Sequence, residues 1–314
     1  APLGMAGEAG TLHDNAFRKG LVDLEFAPDC SAWGATLISG PDYLRDIAPD
    51  GTVSSHPSVT NLNMGEVSIL QQISIPKFAP DHPGQTEKPT GPHSGTVELE
   101  VAATYICCAA CGCQLDSVPQ GAIRYDAATN TLPLVIPSKT FTTGAGPFGG
   151  AVIDTGPAGL SHGMDRVLYV GNIDTNGDYQ RIDLVTQQKS LVTTFASRVY
   201  ASTPFDAVTM LVALEGGELR LLRIVDGSST VWAVSDQPVT GMVRDFFDGS
   251  VYVSRRDGSI LQYSAAGMPT PYQMVNGASR ISIAPDGYLY ALQIPAPFAD
   301  QTPTIVRFQL PDTR

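Results

Sequence analysis

Five oxygen-bearing side chains between residues 172 and 183 have nearly the spacing of a twelve-residue calcium-binding loop. They are Asn172, Asp174, Asn176, Asp178 and Asp183. Calcium takes six to eight oxygen ligands, and a loop with carboxylates two residues apart can wrap around the ion. Two positions depart from the pattern, because Asn stands at the first and Asp rather than Glu at the twelfth. The sequence therefore predicts either a calcium site or a polar hairpin loop whose side chains cap their own backbone.

Four of the five cysteines lie within seven residues, and the fifth is far upstream. They are Cys107, Cys108, Cys111 and Cys113, with Cys30 as the distant one. A c-type haem is excluded, because Gly112 stands where the attachment motif requires His. Four thiolates could hold zinc, copper(I) or an iron–sulfur cluster, although one tight loop seldom supplies every ligand. We predict one or two disulfides that staple an exposed loop, with Cys30 as a partner or a free thiol, and a metal cluster is the alternative.

Signatures of known catalytic machinery are missing from the sequence. It contains no Gly-x-Ser-x-Gly elbow, no phosphate-binding loop and no dinucleotide fingerprint. His82 and His93 share one Pro- and Gly-rich segment and could form half of a metal site. Isolated loop histidines are the commoner case. No catalytic residue or organic cofactor is therefore assigned, and the sequence favours a protein that is not an enzyme.

The composition restricts the class of protein. The chain of 314 residues contains 31 Gly and 24 Pro, and only 16% of its residues are charged, which is typical of a turn-rich β protein. A net charge of −12 excludes a nucleic-acid partner. No apolar run is long enough for a membrane-spanning helix. The acidic surface and a start that resembles a processed N-terminus predict secretion, to the periplasm or the outside of the cell.

Four segments in the second half of the chain repeat one pattern of two strands joined by a turn. The pairs are Val167–Val170 with Tyr179–Leu184, Met210–Leu214 with Glu218–Leu221, Asp248–Val253 with Ser259–Tyr263, and Asp286–Ala291 with Thr304–Phe308. Equivalent residues are 43, 40 and 38 positions apart, from Leu168 to Leu211 to Val251 to Leu289. This period, with Asp-Gly and Gly-Gly turns between short strands, predicts one four-stranded β-propeller blade per repeat.

Two further blades are predicted upstream, which gives about six in a single all-β domain over residues 1–314. One pairs Tyr105–Cys108 with Gly121–Asp126, and the other pairs Ala35–Ile38 with Tyr43–Ile47. Segments 76–95 and 109–120 are predicted to be exposed insertions. The last repeat lacks a fourth strand, and an open blade edge is an aggregation hazard. We therefore predict that residues 20–26 complete the last blade and close the ring.

Two of the repeat motifs resemble those of a known superfamily. The segments Ala284–Ala291, Leu168–Asn172 and Arg181–Leu184 are similar to the repeats of secreted bacterial propellers of the YncE or lactonase-like superfamily. The resemblance covers roughly the last half of the chain and implies the architecture. It does not select a function, because the same fold serves lyases, lactonases, quinoproteins and binding modules.

Three elaborated segments occupy the same position in their repeats. Residues 109–120, 172–178 and 295–303 each join a second strand to a third strand. Equivalent connections emerge on one face of a propeller, and function concentrates on loops held by a rigid scaffold. We therefore predict a non-catalytic binding or assembly module whose partner is another protein or a surface glycan. The alternative is a metal-dependent hydrolase or lyase that works at the central channel.

Overall fold

A computed structural model of the chain describes a set of β-strands and their connections. The described residues are 18, 20–27, 30–36, 44–48, 50–56, 68–75, 100–107, 120–126, 131–137, 157–165, 167–183, 186, 188–277, 279–294 and 302–311. Within them the chain forms 23 strands in six antiparallel sheets, each sheet following chain order. No helix in this part of the chain is long and apolar enough to cross a membrane.

The first three sheets contain four strands each. The first sheet has β1 (Leu21–Phe26), β2 (Ala32–Thr36), β3 (Leu44–Ile47) and β4 (Val53–His56). The second has β5 (Ser68–Ser74), β6 (Glu100–Cys107), β7 (Gln120–Asp126) and β8 (Thr131–Pro137). The third has β9 (Ala158–His162), β10 (Leu168–Gly171), β11 (Asp178–Ile182) and β12 (Lys189–Thr194).

The remaining sheets follow the same plan, except that the sixth has three strands among the described residues. The fourth sheet has β13 (Val199–Asp206), β14 (Thr209–Leu214), β15 (Glu218–Arg223) and β16 (Ser229–Val234). The fifth has β17 (Val239–Arg244), β18 (Val251–Arg255), β19 (Ser259–Tyr263) and β20 (Pro269–Met274). The sixth has β21 (Ser279–Ile283), β22 (Tyr288–Gln293) and β23 (Thr304–Gln309).

The sheets are arranged around an axis as the blades of a β-propeller. The first strand of each sheet contacts the first strands of both neighbouring sheets, in the circular order β1, β5, β9, β13, β17, β21 and back to β1. The predicted fold class is therefore confirmed. About six four-stranded blades were predicted, whereas the structure has five of them and a three-stranded sixth sheet. Every predicted strand pair is found as the second and third strands of a sheet.

A β-bulge recurs at the outer strand of three consecutive blades. The strand pairings skip Val192 in β12, Trp232 in β16 and Tyr272 in β20, residues that are spaced 40 apart (192, 232, 272). A bulged residue leaves the ladder and turns its side chain away from the regular pleat. All three side chains pack against apolar clusters that join two neighbouring blades. The bulge therefore serves contact between blades.

The prediction that residues 20–26 complete the last blade is wrong. β1 pairs with β2, only a short turn away in sequence, and is the innermost strand of the first blade. In that turn the Ala27 amide donates to the Ser31 carbonyl at 2.9 Å. A local hairpin costs little loop entropy, which favours it over pairing with a strand near residue 305. The ring closes instead by packing between blades, where Phe26 and Tyr290 have ring centroids 4.6 Å apart in a cluster drawn from the first and sixth sheets.

Aspartates fix the turns between strands. The side chains of Asp206, Asp226, Asp248 and Asp286 each accept the backbone N–H of the residue two positions later, at 2.7–3.1 Å. This Asx-turn gives the amide an acceptor where no ladder partner exists. In the sixth blade the other oxygen of Asp286 also accepts the Tyr290 hydroxyl at 2.7 Å. The Asp-Gly signal in the sequence thus reflects a specific hydrogen bond.

Three glycine substitutions separate backbone strain from contact between blades. Gly267 has φ +80°, and a Cβ atom there would lie 2.5 Å from the Trp232 carbonyl oxygen in the preceding blade. Gly277 has φ +85° but open space around it, and Gly216 has open space without positive φ. Gly267→Ala should cost about 2–4 kcal/mol of unfolding free energy, from strain plus a clash with backbone. Gly277→Ala should cost about 1 kcal/mol from strain alone.

Gly216→Ala is the matched control and should change the free energy by no more than about 0.5 kcal/mol. Urea unfolding at one pH measures all three. Equal losses for Gly267→Ala and Gly277→Ala would show that the approach between the fourth and fifth blades is loose.

Candidate functional site

The strand order places the three elaborated connections on one side of the ring. They link β6 to β7, β10 to β11 and β22 to β23, which are the second and third strands of their sheets. We call the side that carries these connections the loop face, and the opposite side, with the first-to-second and third-to-fourth connections, the turn face. Residues 108–119 and 295–301, with the cysteine cluster's Cys108, Cys111 and Cys113, lie outside the described residues. So do His82, His93 and the predicted insertion 76–95.

Asn172 begins the described loop on this face and is fully buried. It has φ +58°, a left-handed conformation that Asn tolerates better than most residues. Its side-chain oxygen accepts the backbone amides of Gly177 and Val199, both at 3.1 Å. Its side-chain amide donates to the Val199 carbonyl at 2.8 Å. The two backbone amides occupy both lone pairs of the side-chain oxygen. The bonds to Val199 join the loop to the next blade.

Asp178 organises the rest of the loop. One carboxylate oxygen accepts the backbone amide of Ile173 at 2.8 Å, and the other accepts that of Asp174 at 2.8 Å and of Thr175 at 3.3 Å. The side-chain amide of Gln180 also donates to Asp178, at 2.6 Å. Four N–H groups thus point at a buried carboxylate. Such donors would repel a cation placed among them.

The other predicted calcium ligands are divided between the two faces. Asp174 forms an ion pair with Lys189 and accepts Gln180 at 2.8 Å, while Asn176 is exposed at the tip of the loop. Asp183 follows the far end of β11, about 16 Å away along the strand, and caps the Thr186 amide at 2.8 Å there. Asp183 is therefore separated from the other four residues by the length of β11. The arrangement fits the polar hairpin alternative, and its donors do not fit a calcium ion.

The topology also separates the cysteines. Cys107 is the last residue of β6 and leads onto the loop face, whereas Cys30 lies in the β1–β2 turn on the turn face. Cys30 is half-buried with φ +72°. A strand of eight residues spans about 26 Å. Cys30 and Cys107 therefore lie on opposite faces of the ring, and the pairing of the cysteines stays a prediction.

A group of polar side chains on the inner strands was missed from the sequence. We call it the central cluster: Asp23, Glu25, Gln72, Ser74, His162, Arg280 and Ser282, from the first, second, third and sixth blades. They form pairs of residues two apart on β1, β5 and β21, so each pair lies on one side of its strand. That alternation was the available signal, but it is also the ordinary pattern of a half-buried strand.

Asp23 connects three blades within this cluster. Its carboxylate accepts the Ile73 amide of the second blade at 2.9 Å and the Leu24 amide at 3.0 Å. Burial raises the pKa of Asp23 to about 7, since Arg280 of the sixth blade opposes the shift only in part and Glu25 adds to it. A carboxyl group with a raised pKa among other charged groups is a candidate for acid–base chemistry or for sensing pH.

The remaining polar groups of the cluster bond to one another or to the backbone of neighbouring blades. Ser282 donates to the Glu25 carboxylate at 2.8 Å. The Ser74 oxygen accepts the His162 backbone amide at 2.9 Å, and its hydroxyl lies 2.9 Å from Nδ1 of the same residue. Gln72 accepts the Leu160 amide at 3.1 Å and donates to the Tyr200 carbonyl at 3.2 Å. The cluster therefore links inner strands around the axis. Within the described residues no group of three His, Cys, Asp or Glu could hold a metal ion.

Comparison with known proteins supports the fold and no more. No family model and no curated protein matches the chain. The extracellular domain of the putative hybrid two component system BT3049 from B. thetaiotaomicron aligns with a TM-score of 0.53 at 11% identity, over 92% of this chain and 33% of that one. The Mitotic Checkpoint Complex aligns with a TM-score of 0.50 at 12% identity, over 92% of this chain and 87% of that one.

The Dos1 propeller aligns with a TM-score of 0.49 at 11% identity, over 86% of this chain and 65% of that one. The chain thus spans less than two thirds of the Dos1 chain and one third of the BT3049 chain. At these identities the likeness concerns the arrangement of strands alone.

Removing the Asp178 carboxylate should loosen the loop. Asp178→Ala leaves several buried N–H groups without an acceptor and should cost about 2–4 kcal/mol of unfolding free energy. Asn176→Ala, at the exposed tip of the same loop, should cost no more than about 0.5 kcal/mol. Chemical denaturation measures both, and similar values for the two variants would contradict the role assigned to Asp178.

Thermal unfolding of wild type and of Asp174→Asn tests whether the loop binds calcium. An ion that binds only the folded state raises stability by about 2.7 kcal/mol at a hundredfold excess over Kd. We expect the melting temperature of the wild-type protein to be the same with calcium and with EDTA. A rise with calcium that Asp174→Asn abolishes would restore the calcium site.

The stability of the fold should depend on the protonation of Asp23. Its pKa is about 7 in the folded protein and near 4 in the unfolded chain, so the folded state binds the proton more tightly. The resulting stability is fully present below pH 4 and is lost as the pH rises to about 7, a change on the order of 4 kcal/mol. As the pH rises through this range, the wild-type protein should therefore lose unfolding free energy relative to Asp23→Asn.

Urea unfolding of both proteins at intervals from pH 4 to pH 8 measures the effect. Asp226→Asn is the control, because hydrogen bonds from Ser228 lower the pKa of this exposed carboxyl and keep it ionised over the range. Parallel pH profiles for wild type and Asp23→Asn would show that Asp23 is ionised throughout.

Proposed function

We propose that the protein is a non-catalytic binding or assembly module and that its interface is the loop face. The observation that carries the proposal is the strand order, which brings the connections β6–β7, β10–β11 and β22–β23 to one side of the ring. A propeller needs only a tight turn at this position, as at Gly258 between β18 and β19. Long connections there exceed what the fold requires, which is typical of loops that recognise a partner.

The described loop on this face is held in one conformation. Asn172 fastens it to the next blade and Asp178 fixes its backbone, while Thr175 and Asn176 remain exposed at the tip. At the junction of the first and sixth blades, the Arg18 guanidinium donates to the Pro303 carbonyl at 2.9 Å. A surface that is ordered before binding loses less conformational entropy when it binds. These contacts support recognition by a preformed face.

The environment and the partner are part of the same proposal. A net charge of −12 keeps such a protein soluble and disfavours anionic surfaces. One structural neighbour is itself an extracellular domain, which supports secretion to the periplasm or the cell exterior. We propose another protein or a surface glycan as the partner. Membership of the YncE or lactonase-like superfamily is also a proposal, supported by the motifs at Leu168–Asn172 and Ala284–Ala291.

Catalysis at the centre of the ring is the weaker candidate. A lactonase-like enzyme needs several acidic or histidine side chains directed at one metal or substrate. Asp23 has the raised pKa that acid–base chemistry uses. Its two oxygens accept backbone amides, however, and Glu25 accepts Ser282. These bonds support a role for the central cluster in holding the blades together.

Arginine substitutions on the two faces test the proposal. Asn176→Arg places a long cation on the loop face, and Thr52→Arg places one at an exposed position of the turn face in the first blade. Wild type and both variants are labelled and applied to arrays of extracellular polysaccharides and of secreted proteins. Asn176→Arg should reduce binding to the recognised array member at least tenfold, whereas Thr52→Arg should leave it within about twofold.

Melting temperatures verify that both variants fold. Absence of any binding by wild type, or equal loss in the two variants, would count against the loop face as the interface.

A further inference from the structure

The turn face carries exposed apolar side chains in two neighbouring blades. Val208 is 45% exposed, Val225 74% and Phe247 43%. Val208 lies in the β13–β14 connection, Val225 in the β15–β16 connection and Phe247 in the β17–β18 connection. All three connections lie on the turn face. Single exposed apolar residues are ordinary, but a group of them on one face marks an interaction surface.

We call these three residues and two neighbouring phenylalanines the Val-Phe patch: Phe205, Val208, Val225, Phe246 and Phe247. The Ile224 amide donates to the Val208 carbonyl at 2.9 Å, which places Val225 beside Val208. The Arg244 guanidinium lies 4.4 Å from the ring centroid of Phe205 and 5.2 Å from that of Phe246. Arg244 thus bridges the fourth and fifth blades through two rings.

The phenyl rings of this connection are not needed to turn the chain. In the sixth blade the equivalent turn closes with a bond from the Ala284 amide to the Tyr288 carbonyl. In the fifth blade the bond runs from the Asp245 amide to the Ser250 carbonyl, which encloses a longer segment that includes Phe246 and Phe247. A phenylalanine that stays 43% exposed in such a segment lowers solubility. Its presence points to a partner that covers it.

Carboxylates surround the Val-Phe patch. Asp206, Asp226 and Asp248 are exposed in the same three connections. Of the basic residues there, Arg223 pairs with Asp226 at 3.6 Å, and Arg244, which stands between phenyl rings, is attracted to Asp206 and Asp248. Three carboxylates against two guanidinium groups leave one net negative charge. The border is therefore acidic, as is the whole chain with its net charge of −12. Complementarity of charge favours a cationic partner and disfavours an anionic membrane.

We propose that the Val-Phe patch binds a polypeptide segment with apolar side chains flanked by lysine or arginine. The apolar side chains cover Val208, Val225 and Phe247, and the basic flanks face Asp206, Asp226 and Asp248. This site lies on the turn face and is independent of the interface proposed for the loop face. The protein then joins two partners, one on each side of the ring.

Selection from a library of random peptides displayed on phage tests the proposal with the folded chain of 314 residues. Wild type is the target, and Val225→Ser with Phe247→Ser is the counter-target that removes the apolar centre. Leu191→Ser with Val234→Ser is the matched control, because it removes exposed apolar residues from the outer strands β12 and β16 instead. The enriched peptides are then synthesised and their Kd values measured by fluorescence anisotropy at low and at physiological salt.

We expect enriched peptides with aromatic or aliphatic residues between Lys or Arg. The patch variant should bind them at least tenfold more weakly, and the outer-strand control should stay within about twofold of wild type. Asp226→Asn with Asp248→Asn should weaken binding and reduce its salt dependence. The proposal is overturned by enrichment without basic residues, by equal loss in the control, or by no enrichment at all. Wild-type binding to anionic lipid vesicles without peptide would also overturn it in favour of a membrane.

Discussion

Apolar packing between the faces of neighbouring blades is the interaction on which the whole structure depends. Among the described residues, neighbouring blades share apolar clusters, such as the one that contains Tyr179, Met210 and Leu222 between the third and fourth blades. Hydrogen bonds within a sheet hold a blade together, whereas this burial supplies the main attraction that keeps the blades around a common axis. The bulged residues Trp232 and Tyr272 belong to the same clusters. Every surface feature discussed above therefore depends on contacts beneath it.

The central cluster modifies this simple picture. Several polar side chains on the inner strands are buried and form hydrogen bonds from one blade to another, as Asp23 does with Ile73 and Gln72 with Leu160. Asp23 shows the consequence, since its carboxylate joins β1 to β5 while its burial disfavours ionisation. Such a group favours one pairing of the strands that it joins. Its protonation changes how strongly those strands are held together. The central cluster thus restricts which strands meet at the axis, and the raised pKa of Asp23 predicts that their packing depends on pH.

Sequence reasoning recovered the parts of the fold that are encoded locally. The pairs of second and third strands follow from Asp-Gly and Gly-Gly turns between apolar runs, and all were found where they were expected. The closing strand was assigned wrongly, because the sequence of β1 is equally suited to an inner or an outer strand. The turn from Ala27 to Ser31 makes β1 pair with β2 as an inner strand. This turn has no familiar sequence signature, and its residue Cys30 has a positive φ.

The candidate site was predicted less well, for a related reason. The position of the loop at 172–178 was correct, but the roles of its side chains depend on Lys189 and Val199, which the spacing pattern does not include. Asp183 fitted the spacing and yet follows the opposite end of a strand. Liganding patterns in sequence assume that a loop folds back on itself, whereas here a β-strand runs through the pattern and carries its last member to the other face.

The contact between the first and sixth blades has a consequence for how the protein folds. Glu25 and Ser282, which bond at this junction, are separated by 257 residues in sequence. Blades such as the fourth consist of neighbouring segments and can form early, whereas β1 must wait for β21. Folding rates fall as contacting residues become more distant in the chain. We therefore expect closure of the ring to be the slow step of folding, during which the apolar faces of β1 and β21 are open to chaperones or to a second chain.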